Sequence, residues 1–78
     1  MLDESKIKAL IGSILGLDPS AIDMATSSDN VEAWDSLRHM NLVLAIEEEF
    51  NVSIPDEDAA NITSYALILI VLGELLGD

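Results

Sequence analysis

Residues 35–51 read DSLRHMNLVLAIEEEFN, and the spacing of their apolar side chains decides the fold. At about 100° per residue, His39, Leu42, Val43, Ile46 and Phe50 share one narrow arc of a helix running from Ser36 to Asn51. That arc is the predicted core face, and Asp35 is the predicted N-cap. Leu37, Met40 and Leu44 fall on a second arc, a quarter-turn or more away, among Asn41, Glu47 and Glu48. A helix of a small bundle buries one stripe in its own core. The second stripe is therefore either an exposed docking surface rimmed by carboxylates or a face covered by the preceding loop, with Trp34 or Val31 over it.

Outward from this helix, Ile54-Pro55 forces extended backbone, and Asp56–Asn61 follows as one short, acidic-headed helix. Thr63 or Ser64 caps a last helix running through Leu76, which Gly77 ends. Its predicted core face is Tyr65, Ile68, Leu69, Leu72 and Leu76. Leu67, Ile70 and Val71 are apolar as well, which predicts either unusual burial or a face for a partner or a second copy. Toward the N-terminus, Ile7, Leu10, Ile11, Ile14 and Leu15 recur at helical spacing, led by Asp3 and Glu4 and stopped at Gly16. Between them, residues 17–35 form a polar, turn-rich crossing longer than ordinary loops, with Ile22, Met24, Val31 and Trp34 as expected anchors. The fold class is all-α: three main helices, one short one and a long first loop, as a single domain over residues 1–78.

Composition narrows function. Three Lys+Arg against 15 Asp+Glu leave a formal net charge of −12, which argues against nucleic acid and anionic membranes and favours partners with basic surfaces. With no cysteine and one histidine, disulfides, thiol nucleophiles and Cys- or His-rich metal sites are excluded, and no nucleophile–base pair can be assembled. No D-x-[DN]-x-[DN]-G calcium loop is present. The most apolar run, Tyr65–Gly73, is far short of the roughly 20 residues of a membrane span. The acidic start, Met1-Leu2-Asp3-Glu4, is unlike an export signal, so a cytoplasmic address is expected. Ser36, at the head of the central helix, sits where free N–H groups and the helix dipole favour an anion, although most such serines are simple caps.

Asp35-Ser36-Leu37, the run Leu42–Phe50 ending in three glutamates and Phe50, Ile54-Pro55-Asp56-Glu57, and Ile62-Thr63 together resemble the acyl carrier protein family. The resemblance spans the whole chain in length, acidity, helix order and motif position. It implies a carrier without catalytic activity, bearing 4′-phosphopantetheine as a phosphodiester on Ser36, between Asp35 and Leu37, with acyl groups held on the arm's terminal thiol. A phosphopantetheinyl transferase would load it, and enzymes of fatty-acid, lipid or polyketide type would meet it. Their docking surface would comprise Leu37, Arg38, Met40, Asn41, Leu44, Glu47 and Glu48. An aminoacyl or D-alanyl carrier is the nearest alternative. An acidic charge mimic that needs no cofactor is the alternative from another class.

The sequence also departs from that family. Glu32-Ala33-Trp34 stands where a Leu-Gly pair is common, and Arg38-His39 follows the motif where acidic or small residues are common. Trp34 is expected to pack on the bundle, and His39, on the core arc, to be structural. Such departures suit a specialised carrier. It is expected to be mostly monomeric, with a dimer through the last helix as the alternative form.

Overall fold

The Asp3 carboxylate accepts the Lys6 backbone N–H at 3.2 Å and so starts α1, Glu4–Leu15. Gly16 ends it at φ 73°, a left-handed conformation that glycine adopts without a Cβ penalty. The computed structural model describes residues 2–77, so Met1 and Asp78 of the expected domain lie outside the described residues. Three further helices follow: α2, Ser36–Phe50; α3, Asp56–Asn61; and α4, Tyr65–Leu76. Asp35 caps α2 by accepting the Arg38 N–H at 2.9 Å, and Ser64 caps α4 by accepting the Leu67 N–H at 3.1 Å. Among the described residues the architecture is helical throughout, with one isolated bridge and no strand. It spans 30 × 24 × 19 Å.

Apolar side chains from every part of the chain close one core. Ile7, Ile11 and Leu15 of α1 meet Leu42 and Ile46 of α2, and Ile68 and Leu72 of α4 complete the cluster with Tyr65. Val43, Phe50 and His39 of the predicted core arc are half-buried at its edge. Polar ties hold α1 in place as well. The Lys6 ammonium lies 3.2 Å from Glu49 and 5.4 Å from the centroid of Phe50, which joins α1 to the end of α2. On the other side, the Tyr65 hydroxyl donates to Glu4 at 2.8 Å, with Lys8 over its ring. Burial and that nearby carboxylate push the Tyr65 phenol above its ordinary range.

The long crossing has a structure that periodicity does not reveal. Pro19–Ala21 form one 3₁₀ turn, capped by Asp18, whose carboxylate accepts both the backbone N–H and the hydroxyl of Ser20. Those two bonds hold the Asp18 carboxyl below the usual carboxylate range. Ile22 and Trp34 are buried and Val31 half-buried, as expected. Met24 corrects the expectation, since it is 62% exposed. The anchor at this point is Thr26, buried with its hydroxyl accepting the Asp23 N–H at 2.9 Å. The crossing is then stitched to the segment before α4. Ser27 and Ser64 form an antiparallel bridge, Ser28 N donates to Thr63 O at 2.9 Å, and Tyr65 N to Thr26 O at 3.0 Å.

Gly12 is buried where α1 meets the start of the crossing, and a Cβ there would come within 2.5 Å of the Leu17 carbonyl oxygen. In an exposed helix interior, glycine to alanine gains close to 1 kcal/mol. Here the clash is with backbone, so Gly12→Ala is expected to reverse the sign and cost about 1–3 kcal/mol. Urea unfolding of the two proteins checks this.

Charge repulsion opposes this core. With 15 acidic residues on a chain of 78, salt or millimolar magnesium is expected to raise the melting temperature near neutral pH. A gain of about 1 kcal/mol corresponds to about 4–8 °C in a domain of this size. Thermal melts across a salt series read it directly, and a flat series would show the acids already well separated.

Candidate functional site

Asp35 is extended and spends its carboxylate on the Arg38 N–H, while its carbonyl accepts the His39 N–H at 2.8 Å. Ser36 is therefore the first helical residue of α2 and is exposed, with its hydroxyl not needed as the cap. The first turn of α2 holds no acidic side chain and contains Arg38. At this helix start the Asp35 cap occupies the Arg38 N–H, and an anion on Ser36 would meet the first-turn N–H groups that the cap leaves free, with the Asp35 carboxylate beside them. A phosphodiester on Ser36 suits these residues.

The second stripe of α2 is exposed, so the preceding loop does not cover it. Leu37 is 70%, Met40 64% and Leu44 58% accessible, and Arg38, Asn41 and Glu48 are exposed around them. The crossing does not cover this face, because Trp34 and Val31 are turned to the core. Glu47 is different from its neighbours. It is half-buried, and its Oε2 accepts the Ile54 backbone N–H at 2.7 Å, tying the end of α2 to the approach to α3. Its position at the rim thus combines a structural bond with a negative charge.

His39 is the structural residue the wheel suggested. Its Nδ1 accepts the Trp34 indole N–H at 3.0 Å, so Nε2 carries the proton and donates to the Ala59 carbonyl at 2.6 Å. The rings stack at 25°, centroids 6.3 Å apart. Both imidazole nitrogens are occupied, and no group of three potential metal ligands exists among the described residues. Two grooves meet at His39, Met40 and Ala60. One, of about 370 Å³, is also lined by Ser28, Trp34, Asp35, Ser36 and Thr63. The other, of about 300 Å³, lies between α2 and α3 over Val43, Leu44 and Ile54. Ser28 and Ala60 carried no signal in the sequence and Thr63 was singled out only as a cap and in the family motif, because their place beside α2 depends on how the crossing and α3 pack.

This arrangement is a small helical bundle with an exposed serine heading its central helix. The family model described as "Phosphopantetheine attachment site" matches residues 5–69. The acyl carrier protein of Clostridium acetobutylicum is 39% identical over 59 residues, covering 76% of this chain and 77% of that protein. The acyl carrier protein of Phaeodactylum tricornutum is 34% identical over 65 residues, covering 83% and 86%. The solution NMR structure of holo acyl carrier protein from Geobacter metallireducens has the same fold, with a TM-score of 0.85 at 19% identity over 99% of this chain and 88% of that one. The chain belongs to the acyl carrier protein family. It is a carrier, not an enzyme, and its cofactor is 4′-phosphopantetheine. That group supplies, when bound, the terminal thiol that a cysteine-free chain lacks. Such a domain works through a loading transferase and the enzymes it serves. No helix among the described residues is long and apolar enough to cross a membrane.

Proposed function

We propose that Ser36 is the attachment residue, that residues 1–78 act as one carrier domain, and that acyl intermediates of fatty-acid, lipid or polyketide-type synthesis are its cargo, in the cytoplasm. The observation that carries this reading is the exposed Ser36 hydroxyl at the first position of α2, free of the capping role that Asp35 fills. Leu37, Met40 and Leu44 form the apolar centre of the docking face, with Arg38, Asn41, Glu47 and Glu48 as its polar rim. A small exposed patch ringed by charge suits brief encounters, because the charge speeds association while the modest area limits residence. Asp35 and Leu37 flank the serine and present it to the loading transferase. Intact mass after incubation with coenzyme A, magnesium and a broad-specificity phosphopantetheinyl transferase tests the assignment. One phosphopantetheine gained, mapped to Ser36 by fragmentation, supports it. No gain with several transferases moves the acidic charge mimic to the front.

The working form is a monomer, and α4 supplies the face through which two copies meet as concentration rises. Ile70 is 58% exposed, Leu67, Leu75 and Leu76 are also exposed, and Val71 is half-buried, so the bundle does not absorb the extra apolar residues of this helix. Leu76, expected in the core, is 40% exposed, on the last residue of α4 before the Gly77 cap. Light scattering over a concentration series should show a rising mass, and a constant monomer mass removes the dimer.

A further inference from the structure

We infer that His39 is a proton-sensitive latch on the approach to Ser36. Neutral, it holds the Trp34 indole against the head of α2; protonated, it lets the indole go while keeping its grip on α3. The latch does not depend on what Ser36 carries, so it is testable on the unloaded protein.

The asymmetry comes from the hydrogen-bonding capacity of the two rings. An indole N–H can only donate, so the 3.0 Å bond from Trp34 requires a lone pair on His39 Nδ1. A proton on Nδ1 turns that acceptor into a second donor, and the two N–H groups then oppose each other. The other ring nitrogen behaves differently. Nε2 already carries its proton toward the Ala59 carbonyl at 2.6 Å, and it donates in both charge states. One protonation therefore breaks one bond and spares the other. Trp34 cannot then stay as it is. It is 5% exposed, and a buried donor without an acceptor is unfavourable, so the indole turns until its N–H meets water.

The segment that moves with the indole leads straight to Ser36. Arg38 Nη1 donates to the Ala33 carbonyl at 3.4 Å, and Asp35 accepts the backbone N–H groups of Arg38 and His39. Ala33-Trp34 and Arg38-His39, two departures from the family, are thus bonded to each other. Movement of Trp34 reaches Asp35 and Ser36 within two residues. His39 is also open to protons where it stands: it is half-buried, and histidine is the side chain that ordinarily changes charge between about pH 5 and 8. The carboxylates of Asp35, of Glu47 on α2 and of Asp56 on α3 line the grooves that meet at His39 and offset a charge on its ring. The adjacent Arg38 is exposed and turned back onto Ala33. From the crossing and the segment before α4, the uncharged Ser28, Trp34 and Thr63 complete the lining.

NMR of the unloaded protein from about pH 8 to about pH 5 tests the latch. The chain has one histidine and one tryptophan, so each ring signal has a single assignment. At the alkaline end the imidazole is expected as the Nε2–H tautomer beside a downfield, hydrogen-bonded indole N–H. As pH falls, the indole N–H should move upfield with the same midpoint as the imidazole, and the Asp35 and Ser36 amides should move with it. Hydrogen-exchange protection of the α1 and α3 amides should change less than about twofold. His39→Asn supplies an uncharged acceptor near the place of Nδ1, and its indole signal should stay constant across the range. His39→Phe supplies none and should show the released signal even at the alkaline end, with its helical circular dichroism intact. An Nδ1–H tautomer, or an indole signal that ignores the imidazole titration, overturns the latch. So does an indole signal that still titrates in His39→Asn. Loss of α1 protection at the same midpoint overturns it as well, because the event is then unfolding of the bundle.

Discussion

Ser36→Ala is expected to fold like the wild type and to accept no phosphopantetheine. The two halves of that outcome come from different features of one position. Ser36 is exposed, and Asp35 makes the cap, so alanine at the first helical position removes no hydrogen bond the fold uses. Its melting curve should stay within the ±0.5 kcal/mol typical of surface changes. Loading, by contrast, needs a hydroxyl oxygen to form the phosphodiester, and alanine has none. Intact mass after the transferase reaction reads the loss as all or nothing. An acidic mimic predicts the reverse, because its charge of −12 is untouched and all activity would survive.

Ile46→Ala and Leu44→Ala lie two residues apart on α2, yet their effects should be opposite in kind. Ile46 is fully buried among residues of α1 and α4, and removing its side chain is expected to cost about 2–5 kcal/mol through lost burial and a cavity that closes only in part. In a domain this small that is a large share of total stability, and about 4–8 °C of melting temperature is lost per kcal/mol. Leu44 is more than half exposed, so its alanine variant should unfold within about 0.5 kcal/mol of wild type. As an anchor of the proposed docking face, however, it should lose about 1–2 kcal/mol of transition-state binding to the transferase, roughly a tenfold fall in kcat/KM. Thermal melts and transferase kinetics on both variants separate the faces. A Leu44 variant loaded at the wild-type rate would remove that residue from the surface.

The helices were legible because each carries its signals locally. Asp3, Asp35 and Ser64 stand where caps are needed, Gly16 and Gly77 adopt the left-handed φ that ends a helix, and apolar residues recur at a period of 3.6 between them. The exposed stripe of α2 was half-legible. Its residues are visible on the wheel, but whether the crossing covered them depended on which way Trp34 and Val31 turned. The crossing itself was hardest, because a 3₁₀ turn of three residues has no periodicity to read, and Met24, expected as an anchor, is exposed while Thr26, on which nothing was expected, is buried. A buried threonine bonded to its own turn leaves the same polar mark in a sequence as an exposed one.

By itself, then, the chain's sequence determined an acidic, cysteine-free helical bundle with one serine heading its central helix. Those properties reside in composition, in cap residues and in spacing along one element, each set by contacts within a few residues. Only the tertiary structure decided that the second face of α2 is open, that Glu47 ties down Ile54, and that His39 links Trp34 to Ala59. It alone brought Ser28 and Thr63 together beside Ser36. The last pairing joins residues 35 positions apart, with Ser36 and α2 between them in the chain. Such a contact is set by how whole elements pack, and no local pattern records it.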